Sequence, residues 1–562
     1  MQIQPQYLPL SDVLEHRLFR IPEYQRAYSW QSKQRDDLFE DISKVYRSNG
    51  DAVHFMATIV GLRRKKRTIA ADVFYEIEVV DGQQRLTTLA MLLKAISKAL
   101  RHKDAKHSDE IDSLLVKGDD LSLLLLQTNH DTSQIFVDYL RDGTLSSEKP
   151  AKTAADHNLI IGIHECEQFV GQWTTSTGGS LLDLFATVKN RLSVIFHEIE
   201  DEALVYTVFE VLNSRGLDVT WFDKLKSLLM ALVFEHGDKG SKEEIIAELH
   251  ILWTSIYSTI GIRQTLNKET LRFAGTLRAK DCPSRPLSEE DAADVLVSVC
   301  KNNPKKVVEC TKWILKVTQA ENQILSDRRL EAATNIVQAR LLAVAVLLRQ
   351  FPPADEAAIL KAWESVTFRI YGMARRDART KVGEYVRLAW RVNNENLSAD
   401  TILKQLKGIG KDFPMRQVIS ELTNRDCYQG WTEQLRYFLY RYEEHVAQKA
   451  GQNLNKSTWN RIWAEEPSRS IEHIQPRSKG SEDRSTKGIY VHRLGNLTML
   501  PPKVNFSLQD KTPKDKAETY ANCGLLITTD VSRFLKKAKW DRSAVEKRER
   551  RILKWASAEW QD

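Results

Sequence analysis

The chain has 562 residues, 42% hydrophobic and 28% charged, which is more than one hydrophobic core supports, so several domains are expected. No apolar run approaches the roughly 20 residues that span a bilayer, and the opening MQIQPQYLPL has no basic segment followed by an apolar one, so a cytoplasmic protein without a signal peptide or membrane contact is expected. The formal charge of +7 is unevenly placed: from Ile471 onward 19 Lys and Arg face 12 Asp and Glu, and the preceding residues balance at 63 of each. A basic end suits a phosphate-backbone binder. Six cysteines without a C-x-x-C pair argue against a zinc ribbon or a disulfide framework and fit reduced thiols.

The first hundred residues read as α/β. Strand-like runs at 55–62 and 74–80 flank Arg63-Arg64-Lys65-Lys66-Arg67, which suggests a long hairpin whose charged tip is either a solvated loop or a DNA contact. After Val80 the dipeptide Asp81-Gly82 marks a turn, and Leu86, Leu89, Leu93, Ile96 and Leu100 predict a helix. Residues 174–180 read as loop and 192–199 as strand. A helix from about Ala203 ends at Asn213-Ser214-Arg215-Gly216, and Thr220 with Asp223 forms a capping box for the next. From there to about 450 the pattern is helical, broken near 283–286, 302–304, 352–353 and 408–414. A Gly/Asn-rich joint at 451–455 and Pro467 open the last segment.

Two constellations carry chemistry. Near the N-terminus stand Ile21-Pro22-Glu23-Tyr24-Gln25-Arg26-Ala27-Tyr28-Ser29-Trp30 and Val80-Asp81-Gly82-Gln83-Gln84-Arg85-Leu86-Thr87-Thr88, the second where a strand meets a helix. Gly82 permits a tight turn, the free N–H groups of the first helical turn favour an anion, and Arg85 is a bidentate phosphate donor. Asp81 is a candidate for magnesium or for a ribose. Asn213, Arg215 and Lys226, at a helix end and a helix start, are candidates for the same nucleotide. Tyr24, Tyr28 and Trp30 either line a binding pocket or pack in core and loop.

Near the C-terminus stand Glu472-His473-Ile474-Gln475-Pro476, then His492-Arg493-Leu494-Gly495-Asn496-Leu497-Thr498-Met499-Leu500, then Asn505. Phosphodiester hydrolysis needs a base to activate water and a metal to stabilise developing charge. A carboxylate and a His adjacent on one short strand point to opposite faces. Asn496 on a second strand is placed to orient the imidazole. His492 is either a phosphate contact or a structural histidine.

The motifs I-P-x-Y-Q-R-x-Y-x-W, D-G-Q-Q-R-L-T-T-L and F-E-x-L-N-S-R-G followed by D-x-x-K resemble the N-terminal domain of GmrSD-type, modification-dependent (type IV) restriction proteins. E-H-I-x-P, L-G-N-L-T, a following Asn and a late Trp with a basic helix resemble their C-terminal HNH domain. The resemblance implies an α+β multidomain protein: a ParB/sulfiredoxin-like α/β sensor at 1–235, a largely α-helical middle at 236–450 and a ββα-metal HNH nuclease at 451–562. It implies an endonuclease for phage defence whose partners are DNA with hydroxymethylated or glucosylated cytosine, or phosphorothioate, and an NTP (GTP or ATP). Tyr24, Gln25, Arg26, Asp81, Gly82, Gln83, Gln84, Arg85, Asn213, Arg215 and Lys226 are then the nucleotide candidates. His473 is the general base, Asn496 its orienting residue, and Glu472 and Asn505 the ligands of magnesium or manganese. Asn505 stands where a His is common, and Glu472 where an Asp is. One such site cuts one strand, so a double-strand break requires a homodimer or two nicks.

Overall fold

The computed structural model describes residues 5–22, 25, 27–48, 54–69, 72–117, 122–123, 125–127, 133–145, 151, 153–199, 220–237, 242–261, 263–423, 425–478 and 489–561. The chain divides into two compact units, one of Met1–Arg278 with Leu287–Gln319, the other of Ala279–Pro286 with Ala320–Asp562. The helices that run between the two motif-bearing regions are therefore shared out between the units.

The first unit is built on a mixed sheet. Strands β1 (Pro5–Pro9), β2 (Arg17–Ile21), β3 (His54–Ile69) and β4 (Asp72–Asp81) precede a minor ladder of β5 (Val116–Lys117) and β6 (Ser122–Leu123). With β7 (Leu125–Gln127) and β8 (Leu192–Ile199) the main sheet has the order β1-β8-β3-β4-β2-β7. Strand β8 falls on the residues its β-branched and aromatic run predicts, burying Leu192, Val194 and Phe196. The helix Gln83–Leu100 buries Leu86, Leu89, Leu93, Ile96 and Leu100 in a core with Phe19, Ile77, Val79, Leu159 and Trp173. It is buried nearly all round, which its continuous apolar run requires.

Two expectations fail here. The basic run 63–67 is not the hairpin tip: β3 continues through it to Ile69, pairing Arg63 with Ile77, Lys66 with Tyr75 and Arg67 with Phe74 around a bulge. Partners distant in sequence make this possible. Arg63 bonds Glu198 at 2.9 Å, Arg64 bonds Glu78 at 2.8 Å, and Arg63 and Lys66 lie over the Tyr75 ring at 5.0 and 5.2 Å. Paired charges and an aromatic face turn a run that reads as loop into a regular strand. Second, the segment expected as loop from residue 174 is helical to Thr177, because Thr153 and Asp156 form a capping box that starts the helix Ala154–Thr177 and Gly178, at φ 77°, ends it. The helix Trp221–His236 starts as read, with Thr220 accepting from Asp223 N.

The second unit is mostly helical. Its prolines and glycines interrupt helices where expected: Pro353 opens the helix Pro353–Thr367, and Pro414 stands before Met415–Leu422. Near its end a short antiparallel hairpin, β9 (Ile471–His473) with β10 (Leu497–Met499), is followed by the helix Pro502–Leu508. The helices Pro513–Ala521, Leu526–Leu535 and Arg542–Glu559 complete the unit. The protein is thus an α+β multidomain molecule. Among the described residues no helix is long and apolar enough to cross a membrane.

Candidate functional site

In the first unit, β4 ends at Asp81 and the chain turns at Gly82, which has φ 93° and serves as N-cap of the helix Gln83–Leu100. A Cβ there would lie 2.9 Å from Ile59 Cγ1. Replacing Gly82 by Ala is expected to destabilise this unit by about 1–2 kcal/mol through the left-handed backbone alone, before the clash is added. A urea titration that leaves the midpoint unchanged would contradict this.

The polar residues around the turn are mostly spent on protein. Gln25 Nε2 donates to Val80 O at 2.8 Å, and Lys226 Nζ donates to Gln25 O at 3.2 Å. Gln84 accepts from Ser29 N at 2.8 Å and donates to Ala27 O at 3.0 Å, so it staples the 25–30 segment to the start of the helix. Tyr28 and Trp30 are buried in the core of this unit, with Tyr28 Oη 2.9 Å from Thr88 Oγ1. Asp81 and Arg85 are half-buried. The Arg85 guanidinium lies 5.8 Å from the Trp30 ring centroid, and burial lowers its pKa against the pull of Asp81 and Asp41. Gln83 is buried and its Oε1 has no hydrogen-bond partner among the described residues. Tyr24, Arg26, Asn213 and Arg215 lie outside the described residues.

In the second unit, His473 pairs with Leu497 and Glu472 with Thr498 across the hairpin, and alternation sends the two side chains to opposite faces. Glu472 Oε1 is met by Lys516 Nζ at 2.8 Å and by Tyr520 Oη at 2.6 Å, all three side chains buried. Burial raises the Glu472 pKa, opposed chiefly by Lys516. Lys516 also donates to His473 O at 2.8 Å. Exchanging Lys516 for Met would strand this carboxylate, with an expected loss of roughly 3–5 kcal/mol. Glu472→Gln in the same background should restore part of it, and a double variant no more stable than the single one would count against the pairing.

His473 faces the other way. Its Nε2 lies 3.0 Å from His492 Nδ1, and Tyr428 packs edge-on to its ring at 4.6 Å. Burial pushes its pKa down to about 2, helped by His492, Arg477 and Lys516. The folded ring is therefore neutral where the unfolded ring, with a pKa near 6.5, takes a proton. More protons are bound unfolded than folded, so this group's stabilisation is complete above about pH 6.5 and is lost as the pH falls toward the folded value. His473→Asn should flatten the acid limb of a stability-versus-pH curve; an unchanged limb would refute the assignment.

Asn496, fully buried, acts on the backbone and not on the imidazole. Its Oδ1 accepts from Gln475 N at 2.8 Å and Trp540 Nε1 at 3.0 Å, and its Nδ2 donates to Gln475 O at 3.0 Å and Val491 O at 2.8 Å. It thus braces the loop that leaves β9. Beside it Gly495 has no room for a Cβ, which would sit 2.1 Å from Val545 O, and Arg548 Nη1 donates to Gly495 O at 2.9 Å and Leu497 O at 2.7 Å. Asn505 Nδ2 donates to Arg469 O at 2.8 Å and Ile471 O at 3.3 Å, tying its helix to the hairpin.

These placements bear on the expected metal. Among the described residues no three His, Cys, Asp or Glu come together as ligands. Glu472 is held by an ammonium and a phenol, and the amide of Asn505 is bonded to backbone. As they stand, the described residues do not form a metal cage. Tyr428, Lys516 and Tyr520 were missed from sequence because each lies outside the motif segments; only Trp540 carried a signal.

A family model described as "GmrSD restriction endonuclease, N-terminal domain" matches residues 10–230, and one described as "GmrSD restriction endonucleases, C-terminal domain" matches 414–555. The two matches cover well over half of the chain, which belongs to the GmrSD restriction endonuclease family. No curated protein matches it.

Proposed function

We propose that this restriction endonuclease is an HNH (ββα-metal) enzyme that hydrolyses phosphodiester bonds in modified DNA, with His473 as general base, under the control of an NTP bound by a ParB/sulfiredoxin-like first unit. The observation that carries the reading is the buried His473 ring at the end of β9, across from β10 and ahead of the helix Pro502–Leu508. Hydrolysis then runs as follows: a water O–H bond breaks and the proton passes to the imidazole. The hydroxide attacks phosphorus, and the bond to the leaving oxygen breaks, that oxygen taking a proton from solvent. An imidazolium so formed is costly in a buried site, and the anionic phosphate is the group that offsets it.

The NTP, GTP or ATP, is supported by the Gly82 turn at a helix N-terminus, the half-buried Arg85 and Asp81, and a Gln83 Oε1 with no partner among the described residues. Magnesium or manganese is part of the proposal on family likeness alone, and no step is derived through it. Hydroxymethylated or glucosylated cytosine and phosphorothioate DNA are the proposed substrates, and a homodimer is the proposed route to a double-strand break.

A second reading, a nucleotide-switched DNA binder with an inactive nuclease, is favoured by one observation: the Glu472 carboxylate is engaged by Lys516. A nicking assay separates the two. Phage DNA with modified cytosines and unmodified plasmid are compared with magnesium, with each NTP and without, and with EDTA. Cutting of modified DNA that depends on one nucleotide and stops with EDTA is the expected result. Binding without cutting of any DNA would establish the second reading.

A further inference from the structure

Three rings meet at the end of β9. His473 Nε2 lies 3.0 Å from His492 Nδ1, with ring centroids 5.1 Å apart and planes at 82°. Tyr428 stacks on His492 at 5.5 Å and 14°, and meets His473 edge-on at 4.6 Å and 68°. Tyr428 comes from the loop between the helices Met415–Leu422 and Thr432–Lys449, outside both motif segments. That loop is held closely. Tyr428 N and Gln429 N donate to Asp426 Oδ1 at 2.8 and 2.9 Å, Cys427 N donates to His492 O at 2.8 Å, and Arg375 Nη2 donates to Asp426 O at 2.8 Å.

Two imidazole nitrogens at hydrogen-bond distance share one hydrogen, so one ring donates and the other accepts. As neutral imidazoles 3.0 Å apart, the two rings have two possible arrangements. If His492 donates, its hydrogen occupies the His473 Nε2 lone pair and the hydrogen of His473 moves to Nδ1, leaving that ring no free acceptor. If His473 donates, both rings take the Nε2–H tautomer, the intrinsically preferred form of neutral histidine, and Nδ1 of His473 keeps its lone pair. The contact with His492 engages Nε2 and leaves Nδ1 outside it.

We propose that His492 and Tyr428 are positioning residues for His473: His492 Nδ1 accepts the Nε2 hydrogen, so that Nδ1 of His473 takes the proton from water, and Tyr428 holds the two rings at their mutual angle. This rests on His473 being the general base. The orienting group is thus a second histidine together with an aromatic ring from the helical region, and the role expected of Asn496 is divided: Asn496 sets the backbone, His492 the ring.

The test uses the full chain with ring-¹⁵N histidine. The His473 signals, assigned by their loss in His473→Ala, should show a pyrrole-type Nε2 and a pyridine-type Nδ1, drifting toward a tautomer mixture in His492→Phe. The opposite pattern in the wild type overturns the inference whether or not a cleavable DNA is at hand. On plasmid or modified phage DNA, His492→Phe and Tyr428→Ala should lower kcat on the order of 10–100-fold with KM unchanged, as loss of an orienting partner does. His492→Asn, which keeps an acceptor oxygen, and Tyr428→Phe should recover part of it, which a purely structural loss would not allow. If His473→Ala abolishes cleavage while His492→Phe keeps the wild-type kcat, this inference alone fails; if His473→Ala cleaves normally, the general-base reading fails and takes the inference with it.

Discussion

His473→Ala should abolish DNA cleavage and spare nucleotide hydrolysis. General-base catalysis contributes roughly 10²–10⁴-fold, and no other described side chain presents an imidazole at the end of β9 except His492, whose Nδ1 is turned toward His473. The two sites lie in different compact units, Gly82 and Arg85 in the first and His473 in the second. Single-turnover nicking and phosphate release measured on one preparation check both halves. Retained cleavage would remove His473 from the mechanism, and loss of nucleotide hydrolysis would break the separation of the sites.

Asn496→Ala should strongly destabilise the second unit. It removes four hydrogen bonds and leaves Gln475 N, Gln475 O, Val491 O and Trp540 Nε1 without their partner. A buried group left unsatisfied costs about 1–3 kcal/mol, and with some relaxation the sum falls on the order of 4 kcal/mol. Because Ile474 N also donates to Asn496 O, the chain on either side of His473 depends on this turn, so cleavage should fall with stability. Asn496→Asp is the sharper comparison: it keeps the acceptor for Gln475 N and Trp540 but sets a carboxylate against two carbonyls. An Asp variant as stable as the wild type would show that the two donated bonds carry little.

Much of the fold was legible because its signals are local. The apolar spacing from Leu86 to Leu100, the Thr220 N-cap, the 192–199 strand and the helix breaks at Pro353 and Pro414 all follow from period or capping. The errors have different causes. Arg63 joins a strand because Glu198 stands beside it from another strand, which nothing in the basic run marks. Residues 174–177 stay helical because the cap that ends the helix is Gly178, within the segment but later than its start.

At the candidate site the same division holds. The sequence by itself determined that Glu472 and His473 lie on opposite faces of a strand, that Gly82 turns the chain into a helix, and which family the motifs resemble. Each of these depends on residue type and spacing alone. Only the tertiary structure decided that Glu472 meets Lys516 and Tyr520, that Asn496 braces backbone, and that Tyr428 and His492 close on the His473 ring. Those contacts join side chains 19 to 48 residues apart, and strand alternation says which way a side chain leaves but not what waits there, which packing alone supplies.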